Sequence, residues 1–256
     1  MKSSSYNLKN KNIILTGGSG FLGTQITKAL LNEKANVYII DIKIPRKRKS
    51  LKFFKSDITN EIELRKILKF FKLKKLKIDI LINNAAIDYP PSKSKKNDLK
   101  LENFSNDLWN KDISVSLKGS FLCTKIFGSY MAKYKKGSIV NVSSDLGIIA
   151  PDQRIYNKKN FVKPVTYSVV KHGIIGLTKY TASYWGKNNL RCNAIAPGGI
   201  YNNQDKYFVK KINKLIPLGR MAKKNEYNGL ILFLCSDLSS YLTGSVIVAD
   251  GGRTII

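Results

Sequence analysis

One histidine, three cysteines and no apolar run approaching the ~20 residues that span a bilayer set the first limits on this 256-residue chain. A lone histidine, His172, cannot build a histidine-rich metal centre, and no carboxylate cluster replaces it, so no metal is expected. His172 follows Lys171 on one helix and points about 100° away from it, which suits packing or capping. Cys123, Cys192 and Cys235 are odd in number, widely spaced and set among apolar or small residues. That pattern fits neither a disulfide framework nor a zinc site and reads as buried free thiols. The stretch Met1–Asn7 lacks the apolar segment of a secretory signal, so the expected location is cytoplasmic, without a membrane partner.

Acidic residues are scarce too, 17 against 45 Lys and Arg, for a formal charge of +28. Such an excess can bind nucleic acid. Here the lysines are spread over the whole length alongside abundant Asn and Ile, as AT-rich coding produces, and no nucleic-acid partner is expected. The densest runs, Pro45–Lys49 and Leu73–Lys77, read as solvated surface. A positive surface does favour an anionic small-molecule substrate, bound more weakly as salt rises. Prolines number only seven and hydrophobic residues make up 43 %, enough to bury a sizeable core in one domain, 1–256.

Short β-rich runs alternate with helical stretches from end to end, which predicts an α/β fold, a doubly wound parallel sheet of the Rossmann type. The expected strands are Asn12–Thr16, Val37–Asp41, a weaker Lys52–Lys55, Ile78–Ile82, Ser138–Ser143, Leu190–Ile195 and Ser245–Ala249. Helices are expected over Phe21–Leu31, Ile62–Phe71, Leu108–Tyr134, from before Tyr167 to Trp185, Lys206–Leu215 and Asn225–Cys235. Polar loops near 88–106, 145–164 and 199–220 remain to line a substrate pocket. Trp109, Trp185, Phe121, Phe127 and Tyr180 read as core or subunit-interface aromatics.

Between the first strand and first helix lies Thr16-Gly-Gly-Ser-Gly-Phe-Leu-Gly23. Gly17 can make the tight turn, Gly20 lets backbone approach a pyrophosphate, and Gly23 permits close helix packing, while the helix N-terminus favours the anion. Asp41 closes the second strand about twenty residues on, where a carboxylate accepts from an adenosine ribose and repels a 2′-phosphate. NAD is therefore expected ahead of NADP, although NADP remains possible beside Lys43 and the basic run from Arg46. Asp57 either borders the adenine or, with Thr59, caps the following helix.

Tyr167 and Lys171 stand four positions apart, so a phenol and an ammonium share a helix face, and a nearby cation favours phenolate. Tyr89 with Lys93 and Tyr207 with Lys211 have the same spacing. Two prolines after Tyr89 oppose a helix there, and no serine-bearing strand precedes Tyr207. Ser143 and Ser144 do precede Tyr167, which singles out that pair.

The Thr16–Gly23 fingerprint, Asp57, Asn83-Asn-Ala-Ala86, Val140-Asn-Val-Ser-Ser144, Tyr167 with Lys171, Pro197-Gly198, Thr243-Gly244 and Asp250-Gly-Gly252 together resemble the short-chain dehydrogenase/reductase family in its compact form, over essentially the whole chain. The resemblance implies an oxidoreductase that interconverts a secondary alcohol and a ketone by hydride transfer with NAD(P). It makes Tyr167 the general acid/base, with Lys171 lowering its pKa and holding the nicotinamide ribose, and Ser144 the partner of the reacting oxygen. Ser143 could share that role. It implies a cofactor site of Gly17, Ser19, Gly20, Phe21, Leu22, Gly23, Asp41, Asp57, Ile58, Asn84, Ala85, Tyr167, Lys171, Pro197, Gly198 and Ile200, and commonly a homotetramer or homodimer.

Three departures stand out. Ser116, in Val115-Ser-Leu-Lys-Gly119, replaces the family's helix asparagine, so the proton relay anchored there is in question. The glycine spacing resembles the family's extended branch, without its C-terminal region. The loop between Ser144 and Tyr167 is unusually long and carries Asp152, Gln153, Arg154 and Tyr156. Arg154, Tyr156 and Gly199 are the substrate candidates, and loop and flanking segments are similar to oxidoreductases of flagellin modification and surface-sugar biosynthesis. A sugar or nucleotide-sugar substrate is the resulting expectation. A 3-oxoacyl carrier-protein reductase, which the basic surface would suit, and a dinucleotide-binding regulator without turnover are the alternatives.

Overall fold

The computed structural model of the protein describes residues 6–43, 51–89, 99–156 and 161–256. The basic run Arg46–Lys49, Lys93 and residues 157–160 of the long loop lie outside these described residues.

Seven strands, β1 (Asn12–Thr16), β2 (Asn36–Asp41), β3 (Leu51–Lys55), β4 (Ile80–Asn83), β5 (Gly137–Val142), β6 (Leu190–Pro197) and β7 (Val246–Ala249), form one parallel sheet in the order β3-β2-β1-β4-β5-β6-β7. The chain starts in the middle, winds outward to β3, then crosses to β4 on the other side of β1. The carboxyl ends of β1 and β4 therefore flank the point where the winding reverses, the place in such sheets where a crevice opens.

Side-chain alternation along the strands divides the core in two. Ile14, Tyr38, Ile40, Leu81 and Ile139 face one layer, with Leu64, Phe71, Phe127 and Met131 from the helices covering it. Ile13, Leu15, Val37, Ile39, Ile80, Ile82 and Val140 face the other, covered by Ile26, Leu30, Ile231 and Leu234. The weak third strand forms because Phe53 and Phe54 each find one layer, Phe54 meeting Phe70 ring edge to ring face at 5.3 Å.

Helices α1 (Phe21–Asn32) and α2 (Glu61–Leu73) flank the first half. Asn60 caps α2 by accepting from the Ile62 and Glu63 amides, a role the sequence reading gave to Asp57 or Thr59. Asp57 instead accepts from Thr59 N at 2.8 Å, closing the turn before the helix. The helical run 106–133, here α3, is continuous but widens into π-type turns at Ile113–Lys118 and Thr124–Gly128. Widened turns of this kind cluster at functional sites, and Ser116 sits in the first. Helix α4 (Val165–Trp185) packs beside it, and α5 (Lys206–Asn213) and α6 (Asn228–Cys235) complete the fold.

Phe127 is fully buried and Trp185 packs on the core, whereas Trp109, Phe121 and Tyr180 are exposed. All three cysteines are free and buried. No described helix is long and apolar enough to cross a membrane.

Candidate active site

Backbone geometry at the switch point explains each glycine of the fingerprint. Gly17 adopts φ +67°, and a Cβ there would lie 2.8 Å from Ala85 Cα. At Gly23 a Cβ would reach 2.0 Å from the Gly17 carbonyl, so the first turn of α1 can close on the loop only without a side chain. Helix α1 starts at Gly20 with no side-chain cap and no acidic residue in its first turn, leaving its positive end open to an anion. Phe21 and Leu22 follow on that turn, with Phe21 exposed.

The neighbouring strand ends hold this loop in place. Asp41 accepts from Ser19 N at 2.9 Å and from Lys43 N at 3.0 Å, so its carboxylate stands at the loop's outer edge. Asn84 donates to the carbonyls of Thr16 and Gly17, both at 3.1 Å, and the Thr16 hydroxyl accepts from the amides of Asn84 and Ala85. Asn84 thus shapes the cradle through its amide. Ile58 is buried against Gly119. Beyond β6, Gly198 N donates to Ala249 O at 3.0 Å, and Gly199 O accepts from Ala222 N at 2.9 Å. Ile200 pairs with Ala222, which fixes the segment after Pro197 at the crevice wall.

Strand β5 delivers the two serines, and the chain turns so that they part company. Ser143 donates to the Lys171 carbonyl at 2.8 Å and is spent on holding α4. Ser144 turns the other way. Its hydroxyl donates to Asp145 Oδ1 at 2.8 Å and accepts from Leu146 N at 3.2 Å. Asp145 is in turn locked by Arg253 at 2.7 Å, an ion pair almost wholly buried, so the turn at Arg253–Ile255 braces the Ser144 segment. Lys171 sits one helical turn past Tyr167, Nζ 5.6 Å from the ring centre, and donates to Val142 O at 3.0 Å.

Electrostatics differ from the sequence expectation in one respect. Burial, followed by the nearby Asp88 charge, pushes the Tyr167 phenol up, while the Ser144 hydroxyl pulls it down. Burial lowers Lys171 to about 8, against the pull of Asp88. The nearer cation to the ring is Lys163, whose Nζ stands 3.7 Å from the Tyr167 centroid and 2.6 Å from Asp88 Oδ1. A half-buried phenol faced by two ammonium groups can exchange a proton with an alcohol or ketone oxygen.

Ser116, singled out in the sequence, is joined here by Asp112, Thr166 and Lys163, which the sequence reading passed over. Tyr89, set aside because of the prolines that follow it, donates to Asp112 Oδ1 at 2.7 Å, and Thr166 donates to Asp112 Oδ2 at 2.5 Å. Ser116 accepts from Ile87 N at 2.9 Å and so ties the end of β4 to α3. Lys163 is fixed by its backbone, which donates to and accepts from the Gln153 side chain. No local spacing announces any of these contacts.

The three loops predicted to line a pocket meet in a small apolar core of their own, formed by Leu99, Ile155, Tyr156, Phe161, Phe208, Ile212, Ile216 and Met221. Tyr156 belongs to that core, buried and stacked on Phe208 at 5.4 Å. Arg154 points outward, its side chain 88 % exposed and paired with Asp152. Tyr207 and Lys211 sit on α5, where Lys211 Nζ donates to the Arg154 carbonyl, tying that helix to the loop. His172 bonds the Ser168 carbonyl within its own helix.

Residues 20–254 match the family model described as enoyl-(acyl carrier protein) reductase. The 3-oxoacyl-[acyl-carrier-protein] reductase of Thermotoga maritima is 33 % identical over 263 residues, covering 97 % of this chain and 99 % of its own. The chain belongs to the short-chain dehydrogenase/reductase family. A family member from Leptospira borgpetersenii, solved with bound NAD+, superposes with a TM-score of 0.87 at 31 % identity, over 97 % of this chain and 94 % of that one. Post-translational flagellin modification protein A of Campylobacter coli is 28 % identical, over 96 % of this chain and 98 % of its own.

As a short-chain dehydrogenase/reductase, the protein is an NAD(P)-dependent oxidoreductase. Its residues fit a dinucleotide: Cβ atoms at Gly17 and Gly23 would crowd the turn, the end of α1 is open to an anion, and the Asp41 carboxylate stands at the loop's outer edge. When bound, the nicotinamide supplies the hydride acceptor or donor. The chain itself supplies position, a proton and exclusion of water.

Proposed function

We propose that the enzyme interconverts a secondary alcohol and a ketone on an anionic sugar or nucleotide-sugar, with NAD preferred, in the modification of a surface glycan or of flagellin. In this reading Tyr167 gives or takes the proton, Ser144 holds the reacting oxygen, and Lys171 keeps the phenol poised and grips the nicotinamide ribose. The observation that carries the substrate class is the Lys163–Asp88 pair standing against the Tyr167 ring. The pair is satisfied internally and leaves an exposed carboxylate at the rim beside the Tyr167 ring, a polar setting that suits a hydroxyl-rich ligand. Resemblance to the flagellin modification protein supports the same class. Asp41 supports NAD, because its carboxylate would meet a 2′-phosphate.

A second reading, 3-oxoacyl carrier-protein reductase, is favoured by the Thermotoga maritima relative and by the +28 charge, which suits an acidic carrier. Exposed Phe121 on α3 and stacked Tyr180 and Tyr184 on α4 support assembly into a homodimer or homotetramer. Three free thiols suit a reducing, cytoplasmic setting.

Screening UDP-, GDP- and CMP-linked sugars, sugar phosphates and acetoacetyl thioesters with both cofactors tests these readings. Turnover of a phosphorylated or nucleotide-linked sugar with NAD(H) is the expected result. Turnover confined to the thioester with NADPH would replace this reading with the second.

A further inference from the structure

Among the described residues three Asp side chains are buried: Asp145 pairs with Arg253, Asp250 accepts from the Gly252 and Thr254 amides, and Asp112 accepts from two hydroxyls. Asp112 is 4 % exposed and, unlike Asp145, forms no ion pair. A buried carboxylate without a cation is costly, and two hydroxyl donors, Tyr89 and Thr166, offset only part of that cost. The carboxylate is not isolated from charge, however. It lines a cavity of about 10 Å³ together with Tyr89, Ser116, Thr166, Tyr167 and Lys171. That volume is about the minimum for one water, and the walls supply the two to four polar partners that a buried water requires.

The same place is where this chain departs from its family. Ser116 replaces the relay asparagine, its hydroxyl is taken by Ile87 N, and its carbonyl already accepts from Ser120 at 3.1 Å. Ser116 keeps its hydroxyl proton and a carbonyl lone pair with which to hold a water, but of the side chains that share the cavity with Lys171 Asp112 is the carboxylate able to take up a proton.

We propose that Asp112, with Tyr89 and one water in this cavity, forms the proton exit for Lys171, in place of the relay built on the missing asparagine. The proposal rests on the acid/base role given to Tyr167 and Lys171. In the oxidative direction the substrate hydroxyl passes its proton to the Tyr167 phenolate, while the C–H hydrogen leaves with both bonding electrons as hydride to the oxidised nicotinamide. Lys171 replenishes its neighbour's charge state by taking that proton as its ammonium releases one to the water. The water hands a proton to the Asp112 carboxylate, and Tyr89, whose hydroxyl is bonded to that carboxylate, passes a proton on toward solvent. One proton leaves for each hydride transferred, and in reduction the route runs inward. Thr166 is a positioning residue that fixes the second carboxylate oxygen.

Two measurements test it. A crystal structure of the wild type should show a water within hydrogen-bond reach of both Lys171 Nζ and Asp112; a dry cavity overturns the proposal. Asp112→Asn and Tyr89→Phe keep the shape of the site. With the best substrate from the sugar screen, Asp112→Asn should lower kcat about 10- to 100-fold, with KM and NADH affinity nearly unchanged. Its solvent deuterium isotope effect should rise, and added formate should partly restore turnover to Asp112→Gly. A purely structural role would move stability or KM without changing the isotope effect or permitting formate rescue, and that result overturns the relay. Tyr167→Phe is the control: if it stays active, the acid/base reading itself is wrong. If it is inactive while Asp112→Asn retains wild-type kcat, only the relay fails.

Discussion

The glycine cradle at the edge of the sheet and the loop cluster beside it, the proposed lid, are built on opposite plans. At the cofactor edge almost every position is fixed by backbone: a left-handed Gly17, a Gly23 with no room for a methyl group, and amides tied to Thr16 and Asp41. Those restraints belong to strands of the main core and leave no tolerance. The lid rests on side chains, a satellite apolar core centred on Tyr156, Phe161 and Phe208 that joins three loops independently of the sheet. Because the lid has its own core, its rim can change without disturbing the cradle. Tyr167 stands where the two meet, with Ser144 and Lys171 on the sheet side and Lys163 and Asp88 on the lid side.

Substitutions on the two sides should separate accordingly. The largest loss is expected for Lys171→Met, about 10²- to 10³-fold in turnover. The same variant should melt at a higher temperature than the wild type at neutral pH, because the folded protein keeps a buried ammonium whose pKa is lowered to about 8. Between that value and the ordinary lysine pKa the unfolded chain binds more protons, so wild-type stability rises with pH and the variant's advantage should shrink. Thermal melts from pH 7 to 10 check the sign. Gly23→Ala, which places a methyl group 2.0 Å from the Gly17 carbonyl, should weaken NADH binding about 10- to 100-fold by fluorescence titration. Phe208→Ala should leave NADH affinity intact and raise KM for the substrate about tenfold, since it loosens only the lid. Arg154→Ala, on the outer face in a solvent-screened pair with Asp152, should change kcat/KM by less than about two-fold. A large effect there would place the substrate on the lid's outer surface and break the division.

Much of the cofactor side was legible in the sequence. Strands β1, β2 and β5 follow from apolar runs, the cradle from glycines placed between a strand and a helix, and Tyr167 with Lys171 from helical spacing behind a serine pair. Those signals are local. The parts that escaped are made by contacts across the fold. Asp145 meets Arg253 from 108 positions away, and Asp112 gathers Tyr89 and Thr166 from two other segments. Tyr89 illustrates the limit: Lys93 and the two prolines lie outside the described residues, and nothing local reveals the carboxylate that the Tyr89 hydroxyl meets. Tyr156 has the composition of a ligand contact and the position of a core residue, a distinction set by Phe208 on another element. The π-type turn around Ser116 has no mark in the helical periodicity that predicted α3.

The central claim is that Tyr167 transfers the proton, and one comparison tests it most directly. Wild type and Tyr167→Phe are assayed for substrate-dependent NADH formation or consumption, with NADH affinity measured on the same preparations. Turnover reduced by about 10³-fold or more, with NADH affinity within about two-fold, is the predicted result. Turnover within a few-fold of wild type would contradict it.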